Sequence, residues 1–161
     1  MSSHTFQIRA TLASPEATCA FAQRLGARLK PGDVILLSGG IGAGKTHFAR
    51  CLIQSILVAP EDVPSPTFTL VQEYDTQNGP LWHADLYRLS DPLDAVELGL
   101  EDAFEQAICL IEWPDRLGDL APTEALRIDF SVDAVHDEAR NLLIDGPAGA
   151  QTLIKKALAD G

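Results

Sequence analysis

The stretch Gly39-Gly40-Ile41-Gly42-Ala43-Gly44-Lys45-Thr46 fits G-x-x-x-x-G-K-[ST] and directly follows the apolar run Val34-Ile35-Leu36-Leu37. The glycines let successive backbone N–H groups turn toward one point, the lysine reaches the β- and γ-phosphates of a nucleotide, and the threonine hydroxyl is placed for Mg²⁺. Beyond the loop, Phe48, Ala49, Leu52, Ile53, Ile56 and Leu57 recur at helical spacing, so the loop opens a helix whose positive end faces a bound anion. Strand, loop and helix therefore agree on a triphosphate cradle. Its nucleotide-contacting run is Gly40, Ile41, Gly42, Ala43, Gly44, Lys45, Thr46 and His47. The alternative, a glycine-rich strand-to-helix turn with a solvated lysine, is rejected because the full motif coincides with a preceding buried strand and a following amphipathic helix.

The chain has 161 residues, which suits one domain spanning 1–161. Its 12 Lys and Arg against 23 Asp and Glu leave a formal net charge of −11. Attraction to a phosphate backbone cannot be a general property of such a surface, so tight RNA or DNA binding by the chain alone is not expected. Cys19, Cys51 and Cys109 are odd in number, lack C-x-x-C spacing and lie in apolar surroundings, and read as reduced core thiols. His4, His47, His83 and His136 form no metal-ligand spacing with them, so no zinc site is expected. Met1 to Ala10 has neither a basic region nor a long apolar one, and no apolar run approaches 18 residues. A cytoplasmic protein without a membrane span is the expectation.

Ser14-Pro15-Glu16 reads as an N-cap, a first helical position and an acidic first turn, followed by Ala17, Phe21, Leu25 and Leu29 on one face. Residues 59–66 form a Pro-rich connection that cannot continue the loop helix. Thr67–Tyr74 and Leu81–Leu89 alternate as two strands of a hairpin joined through 75–80. Phe68 and Leu70 fall on one face of the first strand and Thr67 and Thr69 on the other; in the second, His83, Asp85 and Tyr87 oppose Trp82, Ala84 and Leu86. Leu93, Val96, Leu100 and Phe104 keep a helical period that Gly99 interrupts, giving one bent helix or two short ones. Ala107–Ile111 is a short continuous apolar run, as buried parallel strands are. Two further strands at 125–132 and 140–145 and a closing helix at 151–158 complete an α/β chain. The fold class expected is a three-layer phosphate-loop fold, with a largely parallel core sheet extended by antiparallel strands and helices on both faces.

An open α/β sheet places ligand-binding groups at the carboxyl ends of its strands, and Glu112 sits there, at the end of the second buried run. It is the candidate metal acid with Thr46, holding Mg²⁺ directly or through its waters. Asp85, an acid between Ala84 and Leu86, either orients the attacking water or holds a metal water; the competing reading is a salt bridge to Arg88. Thr67 or Thr69 could sense a γ-phosphate, although threonine is also simply a good strand residue. The candidate catalytic set is thus Lys45, Thr67, Asp85 and Glu112.

Five motifs form a series: Gly42-Ala43-Gly44-Lys45-Thr46, Ser65-Pro66-Thr67-Phe68-Thr69-Leu70-Val71, His83-Ala84-Asp85-Leu86-Tyr87-Arg88-Leu89, Leu98-Gly99-Leu100 and Ile111-Glu112-Trp113-Pro114. Together, over about Ser14 to Val132, they resemble the bacterial TsaE family, also called YjeE, the ATPase of tRNA threonylcarbamoyladenosine biosynthesis. The resemblance implies a small Mg²⁺-dependent ATPase that works with TsaB and TsaD and meets tRNA through that assembly. It implies Lys45 on the phosphates, Thr46 and Glu112 at Mg²⁺, Asp85 as an acid required for hydrolysis, and Trp113 as an aromatic beside the nucleotide. One departure is His47, where the family usually carries a second threonine able to reach the α-phosphate.

Two other classes compete. A phosphate-loop small-molecule kinase shares the strand-loop-helix start, but only Arg88 and Arg116 lie between Cys51 and Ala125, too few for an Arg-rich lid and acceptor clamp. Against a nucleotide-binding scaffold without turnover, Asp85 and Glu112 argue for chemistry. Asn-Lys-x-Asp, which reads guanine, is absent, so the nucleotide expected is ATP.

Overall fold

A computed structural model of the chain describes residues 5–40, 42–66 and 69–159. Seven strands, β1 (Thr5–Leu12), β2 (Val34–Gly39), β3 (Val71–Thr76), β4 (Gly79–Asp85), β5 (Ile108–Glu112), β6 (Leu126–Val132) and β7 (Arg140–Pro147), form one sheet in the order β1-β7-β6-β2-β5-β4-β3. The helices are α1 (Pro15–Gly26), α2 (Lys45–Ile56), α3 (Pro92–Glu97), α4 (Leu100–Gln106) and α5 (Gln151–Ala159). The four central strands, β6, β2, β5 and β4, run parallel, while β7, β1 and β3 pair antiparallel at the flanks.

The strand alternation sorts side chains to two layers. Ile35 and Leu37 of β2, Leu81 of β4 and Ile108 and Leu110 of β5 pack with Phe21, Leu25, Phe48, Leu52 and Ile154 from α1, α2 and α5. Leu36, Ala84, Cys109 and Ile111 point the other way, onto Ala95, Leu100, Ala103 and Leu117 beneath α3, α4 and the 3-10 turn Pro114–Leu120. β2 and β5 are covered on both sides, so their sequences are continuous apolar runs rather than alternating ones. The result is the three-layer arrangement expected from the sequence.

Local chemistry sets several boundaries. The Ser14 hydroxyl accepts from Ala17 N–H at 3.1 Å and opens α1. Gly99, at φ 85°, ends the α3 turn and starts α4, so the interrupted period resolves into two short helices.

Other expectations are corrected. Thr5–Leu12 forms a further strand, along which Phe6, Ile8, Ala10 and Leu12 alternate inward. The hairpin loop is only Gln77-Asn78, because Thr76 pairs with Gly79 and its hydroxyl donates to the Gly79 carbonyl at 2.6 Å. Residues 69–70 are a turn, not strand: Leu70 has φ 68°, its N–H donates to Pro66 O at 2.7 Å, and β3 starts only at Val71. β4 stops at Asp85, whose carboxylate accepts from Tyr87 N–H at 3.0 Å and turns the chain out of the sheet, so Tyr87 does not share the strand face of His83. Cys19 and Cys51 are joined in a disulfide that ties α1 to α2; Cys109 alone is a buried free thiol. Helix packing brings together two cysteines 32 residues apart, which spacing alone does not reveal. Among the described residues no helix is long and apolar enough to cross a membrane.

Candidate functional site

β2 delivers the phosphate loop to the carboxyl edge of the sheet. Gly39, at φ 136°, passes so close to β6 that a Cβ there would stand 2.5 Å from Phe130 O, and Gly44, at φ 109°, starts α2. Only glycine meets both demands without strain. The loop thus hands directly to the amino end of α2, where unpaired N–H groups and the helix dipole favour an anion.

Lys45 is only 5% exposed and donates to the carbonyls of Gly39 and, at 3.4 Å, Gly40, so its stem lies back across the loop. Its ammonium also stands 3.6 Å from the centre of the Trp113 ring, a cation–π contact. Burial pushes the Lys45 ammonium below its usual value, and the Glu112 and Asp85 carboxylates pull it partly back. A cation held this way gains by receiving phosphate oxygens.

Register explains the acids. Asp85 and Glu112 are direct partners across the parallel β4–β5 pair, and Glu112 is opposite Leu37 across β5–β2. Both carboxylates fall on the sheet face that α2 covers. Both are buried, Glu112 at 1% and Asp85 at 5% exposure. Thr46 Oγ1 donates to Glu112 Oε1 at 2.8 Å, and His83 Nε2 lies 2.7 Å from Glu112 Oε2. Hydroxyl and carboxylate oxygens side by side are the hard donors that Mg²⁺ takes, and it fills its remaining positions with phosphate and water. The residues present fit that ion.

Gly42, Lys45, Thr46, Asp85, Glu112 and Trp113 line one cleft of about 270 Å³, with Tyr87 and Arg88 at its rim. Trp113 turns into it from a left-handed position, φ 59°, directly after β5, and its ring packs on Tyr87 at 4.9 Å. On the other flank of the loop a second recess of about 280 Å³ runs between Gly44, His47 and Arg140. His47 there approaches the Pro15 carbonyl at 3.0 Å through Nε2. A separate apolar cavity between Leu29, Phe104, Leu126 and Leu153 contains none of these polar groups.

Lys45, Thr46, Asp85, Glu112 and Trp113, singled out from sequence, therefore converge, as do Gly40, Gly42, Ala43 and Gly44 around them. Ile41 and Thr67 lie outside the described residues. Two neighbours were missed. Arg140, from the start of β7, donates through Nε to Ala43 O at 3.0 Å and packs on Gly44; at 97 residues from Ala43 it carries no local signal. His83 shares the face of Asp85 as the alternation predicts, and its bond to Glu112 has one sequence signal, a polar residue two positions before Asp85 on a largely buried strand.

The family model described as "Threonylcarbamoyl adenosine biosynthesis protein TsaE" matches residues 12–142. The chain belongs to the TsaE family. The TsaE protein of Rickettsia bellii is 40% identical over 121 residues, covering 75% of this chain and 84% of that one. The TsaE protein of Bacillus subtilis is 39% identical over 123 residues, 76% of each chain. Both are named tRNA threonylcarbamoyladenosine biosynthesis proteins. The crystal structure of Bacillus subtilis YdiB superimposes with a TM-score of 0.76 at 30% identity, covering 98% of this chain and 97% of that one. The TsaE match begins at the end of β1 and ends within β7, so it takes in every site segment named above, including Arg140.

Proposed function

We propose that this TsaE-family chain is the Mg²⁺-dependent ATPase component of the machinery that makes N6-threonylcarbamoyladenosine in tRNA, acting in the cytoplasm with TsaB- and TsaD-type partners. One observation carries the reading: Lys45 and Thr46 at the start of α2, Asp85 at the end of β4 and Glu112 at the end of β5 meet in one cleft at the carboxyl ends of the parallel strands. Glu112 would serve metal-nucleotide binding alone, but a second buried acid beside it, Asp85, favours hydrolysis over a scaffold that only binds.

The loop N–H groups and the amino end of α2 bind the phosphates, and Lys45 neutralises β- and γ-oxygens. Thr46 and Glu112 would hold Mg²⁺, which would supply charge neutralisation on the transferring phosphate. Asp85 orients a water for attack on the γ-phosphorus, the bond to the β–γ bridging oxygen breaks, and ADP leaves. Trp113 and the walls of β4 and β5 exclude bulk water and so strengthen these electrostatic contacts. With a net charge of −11, the chain meets tRNA through its partners rather than by its own surface.

Single-turnover hydrolysis of ATP, with TsaB- and TsaD-type partners present, tests this. Phosphate release that requires Mg²⁺ and disappears in Lys45→Ala is the expected result. Release at the same rate in both proteins would overturn the reading.

A further inference from the structure

The two oxygens of Glu112 are held by different elements. Oε1 accepts from the Thr46 hydroxyl of α2 at 2.8 Å, whereas Oε2 meets His83 Nε2 of β4 at 2.7 Å. A carboxylate only accepts, so the bond assigns the proton of the imidazole to Nε2. His83 is fully buried, and its Nδ1 has no partner among the described residues. A core position occupied by a ring with one nitrogen unbonded is worse packed, in polar terms, than the same position filled by leucine. What the imidazole returns is its bond to Glu112.

We propose that His83 is a positioning residue for the divalent cation. By taking Oε2, it fixes the Glu112 side chain in the rotamer that leaves Oε1 beside Thr46 Oγ1 and turned to the cleft. The pair of hard oxygens then stands ready before nucleotide arrives. Without His83, Oε2 loses the donor that holds it among the described residues, and the carboxylate is free to rotate away from Thr46. This rests on the proposal that Thr46 and Glu112 receive Mg²⁺. Outer partners of metal-bound carboxylates are worth about 10–100-fold in metal affinity.

The test uses the full chain and a fluorescent, non-hydrolysable ATP analogue, titrated once with Mg²⁺ and once with EDTA. His83→Leu keeps the volume and removes the donor. His83→Gln keeps an N–H at the same number of bonds from Cβ, and His83→Asn offers the same amide one methylene short. In EDTA all four proteins should bind the analogue within about threefold. With Mg²⁺, His83→Leu and His83→Asn should lose about tenfold or more, and His83→Gln should stay within about threefold of the parent. A full Mg²⁺ response in both His83→Leu and His83→Asn would overturn the positioning role while leaving the nucleotide reading intact. Equal losses in Mg²⁺ and EDTA would make His83 a packing residue and overturn it too. A parent that binds no tighter with Mg²⁺ would instead remove the cation reading beneath it.

Discussion

Asp85 and Glu112 stand opposite each other in the parallel pairing of β4 and β5, two buried carboxylates on the face that α2 covers. Glu112 is bonded to Thr46 and His83, whereas Asp85 Oδ1 accepts the Tyr87 N–H. The same register therefore gives the acids different attachments, and different work follows from that.

Asp85→Asn isolates the second acid. The amide oxygen retains the bond to Tyr87 N–H, so the turn that ends β4 survives. Loss of the charge should leave ATP affinity within about threefold and lower hydrolysis by about 10²-fold or more, the range for a positioned acid or base. Parent-rate phosphate release from Asp85→Asn, with partners present, would reduce Asp85 to a turn-forming residue.

Lys45 gives the pH dependence. Burial lowers its pKa from the usual 10.5, so between the folded and unfolded values the unfolded chain binds more protons. Stability of the ligand-free protein therefore gains from this group as pH rises through that window. Nucleotide binding has the opposite sign, because phosphates favour the ammonium: affinity is full below the folded pKa and falls above it. The fall should begin at lower pH than an ordinary lysine would give and be missing in Lys45→Ala, which should already bind about 1.5–3 kcal/mol more weakly. Calorimetric titrations from pH 7 to 10 check both; identical profiles would show that the Lys45 charge does not meet the nucleotide.

Cysteine labelling checks the corrected pairing. Burial pushes the Cys109 thiol up to about 12, and Cys19 and Cys51 are joined. A maleimide should therefore leave the native protein unmodified at pH 7.5, modify one cysteine after denaturation, and modify all three after denaturation with reductant. Three labels without reductant would show Cys19 and Cys51 to be thiols.

What the sequence made legible was local. The strand, loop and first turn of α2 are contiguous, and their spacing is dictated by one anion, so Lys45 and Thr46 could be placed without tertiary knowledge. Glu112 could be placed because a run buried on both faces must end at the sheet edge. The Thr69 strand assignment failed because alternation cannot register the left-handed Leu70, which turns the chain before Val71. His83, Arg140 and the Cys19–Cys51 pair depend on β4–β5 register, on β7 passing the loop, and on α1 packing on α2. None of these long-range juxtapositions leaves a fixed spacing in the chain.

Arg140 is the long-range neighbour with a measurable share in the loop. Its Nε holds Ala43 O, and one terminal nitrogen holds Asp137 O and Ala139 O, so the guanidinium clamps the loop to the start of β7. Arg140→Ala should weaken nucleotide binding by about 1.5–3 kcal/mol, the cost of a lost charged hydrogen bond, in Mg²⁺ and EDTA alike. Unchanged affinity would show that the loop keeps its shape without the clamp.

The last prediction concerns coupling to partners. Transition-state charge on a transferring phosphoryl group is met in fast phosphate-loop enzymes by an arginine finger. Three arginines border the cleft or its flank. Arg140 directs Nε to the Ala43 carbonyl and one terminal nitrogen to the Asp137 and Ala139 carbonyls just before β7, and Arg116 lies over the Tyr87 ring at 5.8 Å. Arg88 stands at the rim and is itself engaged in an interaction. The isolated chain should accordingly turn over slowly, and TsaB- and TsaD-type partners should raise the rate, by supplying a cation in trans or by bringing the Pro-rich connection before β3 against the γ-phosphate. Turnover of the chain alone and of the reconstituted mixture, at matched salt and Mg²⁺, decides the matter. A rate increase that survives Arg88→Ala would show that Arg88 does not supply the missing charge. Equal rates with and without partners would show that the cleft is already complete in this chain.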